Sequence, residues 1–381
     1  MPVQRTLPSA EAADLLGLTR ELADKELRPR AAEAERGALF PRDVFATLGR
    51  SGLLGLPYDG AYGGGDQPYE VYLQVVEELS SAWLAVGLGV SVHGLSCFPV
   101  AAYGSQEQRE KLLPEMLGGE LLGAYCLSEP HSGSDAAALS TRAVRAGDDY
   151  VVNGTKAWVT HGGVADFYNL MVRTGDTGAR GVSTLLADVT TPGLQPQPPE
   201  RKMGMSASPT AQIVLADAHV PAERLIGAEG QGFAIAMAAL DSGRLGISAC
   251  SVGVAQAALD YAVAYAGERR QFGSRIADFQ GVSFLLADMA TQVEAARALY
   301  LSVARLRDAG TPFGSQAAMS KLFCSDTAMR VTTDAVQVLG GAGYVEDHPV
   351  ERYLREAKVL QIVEGTNQVQ RMVIGRSLAR G

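Results

Sequence analysis

Changes of periodicity along the chain predict an α+β fold, mainly α: helices, then a small antiparallel β domain, then helices again. Three observations carry this. Residues 1–122 are rich in Ala, Leu and Glu, with apolar positions at helical spacing. Residues 123–229 switch to short apolar runs separated by Gly and Pro at close intervals. Across 230–381 the helical spacing returns. This order is not the strand–helix alternation that builds a parallel sheet. The chain's 381 residues leave room for two or three domains of roughly 100–200 residues each.

In the first domain Leu15, Leu18, Leu22 and Leu27 fall roughly on one face, and Pro29 and Pro41 are expected to break the pattern. Residues 58–66 hold three consecutive glycines and predict a loop. Residues 83–101 are the most apolar stretch. Their glycines, histidine and proline leave the segment too short and broken to span a bilayer, so a buried helix is expected. In the middle domain, residues 150–160 predict a hairpin turning at Asn153-Gly154, a pair that tolerates the positive φ of a type I′ turn. Segments 167–172, 181–189 and 211–220 are further strands, giving a small barrel or sandwich. In the last domain Leu285, Met289, Val293, Ala296, Tyr300 and Val303 recur every three or four residues, the buried stripe of a long helix stopped by Gly310 and Pro312. Long helices with short connections form a bundle.

Composition narrows the function classes. A formal net charge of −9 argues against a nucleic-acid partner, which needs a basic face. Cys97, Cys126, Cys250 and Cys324 lie far apart, which argues against a disulfide framework or a zinc site; Cys126 is expected to be buried. The start MPVQRTLPSAEAADLL lacks a basic stretch followed by an apolar run, so no secretory signal is expected and a cytoplasmic setting follows. Gly230-Gln-Gly232-Phe233 opens like a dinucleotide motif, but its sixth position is Ile235 and no βαβ unit surrounds it. Asn153-Gly-Thr155 fits a glycosylation sequon, which the turn reading accounts for.

Three segments can carry chemistry. The first, Ala124-Tyr-Cys-Leu-Ser-Glu-Pro-His-Ser-Gly-Ser-Asp135, is small, hydroxylated and glycine-bearing, suited to bringing backbone N–H groups close to an electron-rich ligand. The second, Trp158-Val-Thr160, offers an indole to stack on a planar ligand and a hydroxyl to bond to it. The third is C-terminal: Arg269-Arg-Gln-Phe-Gly273, then Gln337-Val-Leu-Gly-Gly-Ala-Gly-Tyr344, then Gln361-Ile-Val-Glu-Gly-Thr-Asn-Gln-Val-Gln-Arg371. Positive charge with glycine turns suits a pyrophosphate. Read from composition alone, Glu364 is better explained as an acid favoured by a helix N-terminus than as a catalytic group.

Taken together these segments resemble the acyl-CoA dehydrogenase family of flavoproteins. AYCLSEPHSGSD is similar to the family's YCxTEPxAGSD loop, and NGTKAWVTHGG to its NGxKxWITNG segment. ERRQFGSRIADFQ, AVQVLGGAGYVEDHPVERYLREAK and QIVEGTNQVQR follow in the family's order. The resemblance covers essentially the whole chain. It implies an N-terminal helical domain, a middle β domain, a C-terminal four-helix bundle, non-covalent FAD and a homotetramer. By that resemblance Tyr125, Leu127, Ser128, Gly133 and Ser134 line the flavin, with Trp158 and Thr160 at its ring system. Arg269, Gln271, Phe272, Gln280, Gln337, Gly340 and Gly341 hold the adenosine diphosphate half across a subunit interface, and Thr366 and Gln368 lie beside the flavin. Leu240, Asp241, Arg244 and Ser134 meet the acyl-CoA, whose acyl end faces Val363 and Gly365.

The implied reaction is α,β-dehydrogenation of an acyl thioester. Glu364 removes the α-proton, its pKa raised by burial toward that task, and the β-hydride goes to flavin N5. Hydrogen bonds from the Glu364 N–H and a flavin ribityl hydroxyl stabilise the enolate-like oxygen. Electron-transferring flavoprotein is the implied acceptor. Some relatives carry the base on the helix of Asp241 and Arg244; here that position is Gly243, which has no side chain to serve. Val363 stands where many relatives have tyrosine, which predicts a wider acyl pocket suited to a branched or bulkier chain, and the C-terminal half resembles the short-chain and branched-short-chain members most. His131 and Ser132 replace smaller residues of the family loop. An oxidase, a dehydrogenase of carrier-protein thioesters, or a non-catalytic scaffold on the same fold are the competing readings.

Overall fold

The computed structural model describes residues 3–176 and 178–379. Its first third is helical: α1 (Ala10–Leu22), α2 (Arg28–Gly37), α3 (Arg42–Arg50), α4 (Tyr69–Ala82), α5 (Leu84–Tyr103) and α6 (Gln106–Gly118). A π turn, Ala23–Leu27, joins α1 to α2. Pro29 therefore does not break the helix as expected; the wider turn just before it accommodates the missing N–H donor. The buried stripe is Ala12, Leu16, Thr19, Ala23, Leu27, Ala31 and Ala34; of the leucine series only Leu27 lies in it, Leu15 and Leu22 pack partly buried at its side, and Leu18 faces solvent. Small residues in that stripe let the helix lie close to its neighbours.

Residues 83–101 are also less broken than expected. α5 runs unbroken for 20 residues with Pro99 inside it. It and α7 (Gly232–Glu268) are long and apolar enough to cross a membrane, but their most apolar windows are 83% and 72% buried within the protein, so both serve as core helices.

The middle region is an eight-stranded sheet. In chain order its strands are β1 (Gly123–Cys126), β2 (Arg142–Ala146), β3 (Asp149–Thr160), β4 (Phe167–Arg173), β5 (Val182–Asp188), β6 (Leu194–Pro196), β7 (Thr210–Pro221) and β8 (Leu225–Ile226). Pairing is mainly antiparallel, except that β1 runs parallel to β4 and β2 meets it through one parallel pair. The expected hairpin at Asn153-Gly154 is a correction. Residues 149–160 form one strand, and the tight turn lies earlier, at Gly147, where φ is 64°. Asn153-Gly154 is instead a bulge against β7: the Asn153 amide donates to the Asp217 carboxylate (2.9 Å) and accepts from the Asp217 N–H (2.9 Å). The chemistry that suits Asn-Gly to a turn also suits it to a bulge. A β-carbon on Gly154 would lie 2.7 Å from the Thr141 backbone.

The last third holds α7, the short strands β9 (Arg270–Gln271) and β10 (Ser274–Arg275), then α8 (Gln280–Asp308), α9 (Gly314–Leu339), α10 (Val350–Leu360) and α11 (Asn367–Leu378). The periodic residues on α8 are buried as expected, except that Leu285 is only partly so. First and last thirds share one continuous core, in which α4 and α5 pack on α7, while the sheet keeps a separate core of its own. The chemistry gathers where α4, α5 and α7 meet the α10–α11 turn and the end of β1.

Candidate active site

Glu364 sits in the turn between α10 and α11. Thr366 caps α11, its hydroxyl accepting from the Val369 N–H at 3.3 Å, so Glu364 precedes the cap and is not a first-turn acid. Its φ is +52° and that of Gly365 is +90°, so the backbone is bent back on itself by two successive left-handed residues. Such a conformation costs a non-glycine residue about 1–2 kcal/mol and persists only where neighbours enforce it. It turns the Glu364 side chain inward. The residue as a whole is partly exposed, yet both carboxylate oxygens are buried and have no hydrogen-bond partner among the described residues. Burial pushes the carboxyl up to about 7, against the opposing pull of Arg244 and Lys321.

The carboxylate lies against Gly243 on α7. A β-carbon at Gly243 would stand 2.1 Å from one Glu364 oxygen, so the carboxylate occupies the space that a side chain there would fill. Gly243→Ala is accordingly expected to displace the carboxylate and lower turnover about 100-fold with flavin content unchanged. Steady-state assay of the purified variant checks this, and wild-type turnover would refute it.

Next to Gly243 on α7, Arg244 is buried and pairs with Asp241, three residues before it, at 2.6 Å. Burial pushes the Asp241 carboxyl up, and Arg244 opposes it. Leu240, beside them, is partly exposed. Above this group is a cavity of about 340 Å³, its open mouth included, lined by Tyr58, Tyr69, Tyr72, Leu95, Phe98 and Gly243 among others. The three phenol hydroxyls donate to the carbonyls of Gly94 (2.5 Å), Ser242 (3.1 Å) and Val90 (3.4 Å). Their polar tips are thus occupied, and the rings form the wall.

The edge of β1 and the bulged end of β3 form a second group. The Ala157 N–H donates to the Ser128 carbonyl (2.9 Å) and the Lys156 ammonium to the Leu127 carbonyl (3.3 Å), which joins the two segments. The bulge between Lys156 and Val159 gives Trp158 a φ of +60° and leaves its indole 63% exposed, a large apolar ring held outside the sheet. Thr160 follows it, partly buried. Tyr125 is within the field of Glu364, and its hydroxyl is buried without a partner among the described residues. Gly133 and Ser134 are exposed at the loop. Ser132 closes that loop by donating to the Asp135 carbonyl at 2.6 Å, and His131 lies exposed 3.6 Å from Glu129. An exposed indole beside an unpartnered phenol and a glycine loop fits a planar aromatic cofactor with polar edges.

The third group stays apart within one chain. Arg269 ends α7, so it lies about 37 Å along the helix from Arg244 at 1.5 Å per residue. Gln271 and the turn Phe272-Gly273 follow, with Phe272 95% exposed and edge-on to Phe279. Gln280, Gln337, Gly340, Gly341 and Gln368 are likewise exposed or partly so, while Thr366 and Val363 are partly buried.

Sequence reasoning missed Lys156, Lys321, Gln370 and the tyrosines of the cavity. One signal existed for Lys321. It falls on the stripe Ala317, Lys321, Cys324, Ala328, Val331 of α9, where a charge on an otherwise small and apolar face needs a partner.

Comparison with known proteins places the whole chain. The acyl-CoA dehydrogenase N-terminal, middle and C-terminal domain families match residues 9–120, 124–218 and 230–379. An acyl-CoA dehydrogenase of Bacillus subtilis (strain 168) is 44% identical over 96% of this chain and 97% of its own. The solved butyryl-CoA dehydrogenase of Megasphaera elsdenii superposes with a TM-score of 0.96 at 40% identity, covering 99% and 100% of the two chains. A chain solved in work on the electron transferring flavoprotein of Acidaminococcus fermentans and flavin-based electron bifurcation gives 0.97 at 41% identity, covering all of both.

Proposed function

Because the chain belongs to the acyl-CoA dehydrogenase family, we propose that it dehydrogenates a short or branched short-chain acyl-CoA between Cα and Cβ, with Glu364 as the base. It is a flavin-dependent oxidoreductase acting on acyl-CoA, and FAD is its cofactor. Bound FAD supplies the hydride acceptor for the β-hydrogen. The protein's own part is proton removal and orientation. The observation that carries the reading is a buried, unpartnered carboxylate packed against Gly243, which also lines the tyrosine-walled cavity, with its pKa raised to about 7. Such a carboxylate is partly ionised near neutrality and far more basic than an exposed one, so it matches a weakly acidic α-proton better. Arg244 and Lys321 keep it from rising further. The Glu364 N–H is the protein's donor to the thioester oxygen, where charge develops. Trp158, Thr160 and the 125–134 loop are the flavin side of the site, and Asp241 and Arg244 meet the CoA stem.

Cavity shape supports the chain-length reading. Tyr58, Tyr69 and Tyr72 wall it, their hydroxyls anchored on backbone carbonyls, so fixed rings bound the room for the acyl chain. The similar Megasphaera elsdenii enzyme is a butyryl-CoA dehydrogenase. Electron-transferring flavoprotein is the proposed acceptor, and the distance along α7 supports the reading that the Arg269–Gln280 group serves a second copy's FAD in a homotetramer. The protein is proposed to act in the cytoplasm.

The test is anaerobic bleaching of the bound flavin by a panel of acyl-CoA thioesters. Butyryl- and isobutyryl-CoA are expected to bleach it, and octanoyl-CoA at least about 10-fold more slowly. No bleaching by any of them would overturn the reaction; octanoyl-CoA as the fastest would overturn the chain length, and strict preference for butyryl-CoA would remove the branched class.

A further inference from the structure

The strained turn that presents Glu364 is held from behind. The Gln370 amide donates to the carbonyls of Glu364 (3.1 Å) and Gly365 (2.8 Å). The Lys321 ammonium, fully buried on α9, donates to the Gly365 carbonyl (3.0 Å) and to the Asn367 side-chain oxygen (2.8 Å). Asn367 in turn donates to Asp326 (2.7 Å) and Ser325 (2.9 Å), and Gln361 donates to Asp326 at 2.6 Å. One face of α9 thus grips the turn on both sides of Glu364. Lys321 is unusual in this set, because burying an ammonium without an ion pair is costly, and its nitrogen bonds to two neutral oxygens.

We propose that Lys321 is a positioning residue for catalysis: its ammonium fixes the left-handed Glu364-Gly365 backbone and, through its charge, keeps the buried carboxylate ionisable at working pH. This rests on Glu364 being the base. The other charged or titratable groups facing the carboxylate are Arg244 on α7, Tyr69 on α4 and Tyr125 on β1, with the buried Cys250 thiol on α7. Arg244 is already engaged by Asp241 at 2.6 Å. Among the described residues, Lys321 is therefore the cation near the base that no carboxylate within hydrogen-bond distance neutralises. Burial lowers its own pKa to about 8, with Glu364 and Asp326 opposing the fall. The two groups hold each other charged around neutrality.

Two substitutions separate the roles. Lys321→Gln can still donate a hydrogen bond but carries no charge. The acid limb of flavin reduction is expected to move up by about one pH unit, and the carboxyl band of Glu364 in infrared difference spectra to titrate with it. Gln370→Met removes one clamp without changing charge; the rate per bound flavin should fall about 10- to 100-fold with the limb in place. Lys321→Arg, which restores charge, should return the limb toward its wild-type position. A residue that served folding alone would lower thermal stability or flavin content and leave the limb and the infrared titration where they are; that result would overturn the proposal. Glu364→Gln measured alongside keeps the two questions apart. If that variant still turns over, the base assignment fails; if it is dead while Lys321→Gln leaves the limb unmoved, only the role of Lys321 fails.

Discussion

Glu364→Gln is expected to slow flavin reduction by acyl-CoA about 10²- to 10⁴-fold, the usual worth of a positioned general base, while FAD and acyl-CoA still bind. Glutamine keeps the volume and leaves the clamp on the backbone carbonyls untouched, since that clamp acts on main-chain atoms. What it removes is the proton acceptor. Among the described residues nothing can replace it, because the neighbouring position on α7 is Gly243. The wild-type pH profile carries the same signature. With the carboxyl at about 7, the reactive form is the ionised one, so kcat/KM falls roughly tenfold per pH unit below that value and levels off above it. Stability runs the other way. A carboxyl whose folded pKa lies above its unfolded value near 4.5 contributes stability that is fully present below pH 4.5 and lost as pH rises through about 7. The substituted amide never ionises, so Glu364→Gln should be more heat-stable than wild type at pH 8, by up to about 3 kcal/mol, and equal to it at pH 4.5. Stopped-flow reduction and thermal unfolding at the two pH values check both halves; near wild-type turnover in the Glu364→Gln variant would remove the base assignment. That an active site costs stability while it provides function is the expected trade-off.

How far the sequence alone reached depends on the kind of contact. Fold class was legible because it rests on periodicity, a local property: the α8 stripe and the strands near 167–172 and 211–220 lie where the spacing places them. The errors were simple rules overridden by context, distant in one case and adjacent in the other. Asn153-Gly154 reads as a turn until Asp217, 64 residues away, pairs with it and makes a bulge. Pro29 reads as a breaker until a π turn accommodates it. The segments of the candidate site could be picked out where unusual chemistry and an unusual backbone coincide, as at Glu364-Gly365 and Trp158, both of which have positive φ. Lys321 and Gln370 could not, because their roles arise only when α9 and α11 close on a turn between them. A lysine's number along a helix says which face it takes; it does not say that the face will meet a strained turn and the carboxylate it presents.

Lys156→Met is expected to produce the largest loss of stability, about 3–5 kcal/mol, and to release FAD at lower temperature. Lys156 and Glu129 are both buried, and their charged atoms are 2.8 Å apart. Burial drives the Glu129 carboxyl up, but Lys156 and the Thr141 and Ser140 donors outweigh it and hold it down to about 2. Removing Lys156 leaves a buried carboxylate with hydrogen bonds from the N–H groups of Ser140 (2.7 Å) and Thr141 (2.9 Å) and, in place of the ammonium, only the exposed His131 ring 3.6 Å away. Those donors place the loss near the lower end of the range. The location makes it more than a stability effect. Glu129 lies in the loop proposed to line the flavin, and Lys156 also bonds the Leu127 carbonyl at 3.3 Å, so the pair ties that loop to the strand carrying Trp158. Acid should act on the same contact. Glu129 contributes stability above pH 4.5 that is lost as pH falls from 4.5 toward about 2, and this acid slope should be shallower in Lys156→Met. The double variant Lys156→Met/Glu129→Gln removes both charges and should recover most of the loss, since a buried pair replaced by neutral groups of similar shape is often close to neutral. Thermal unfolding followed by flavin fluorescence measures all three proteins. If Lys156→Met keeps its FAD to the wild-type temperature, the pair does not hold the loop; if the double variant is no better than the single, the loss comes from packing and not from the stranded charge.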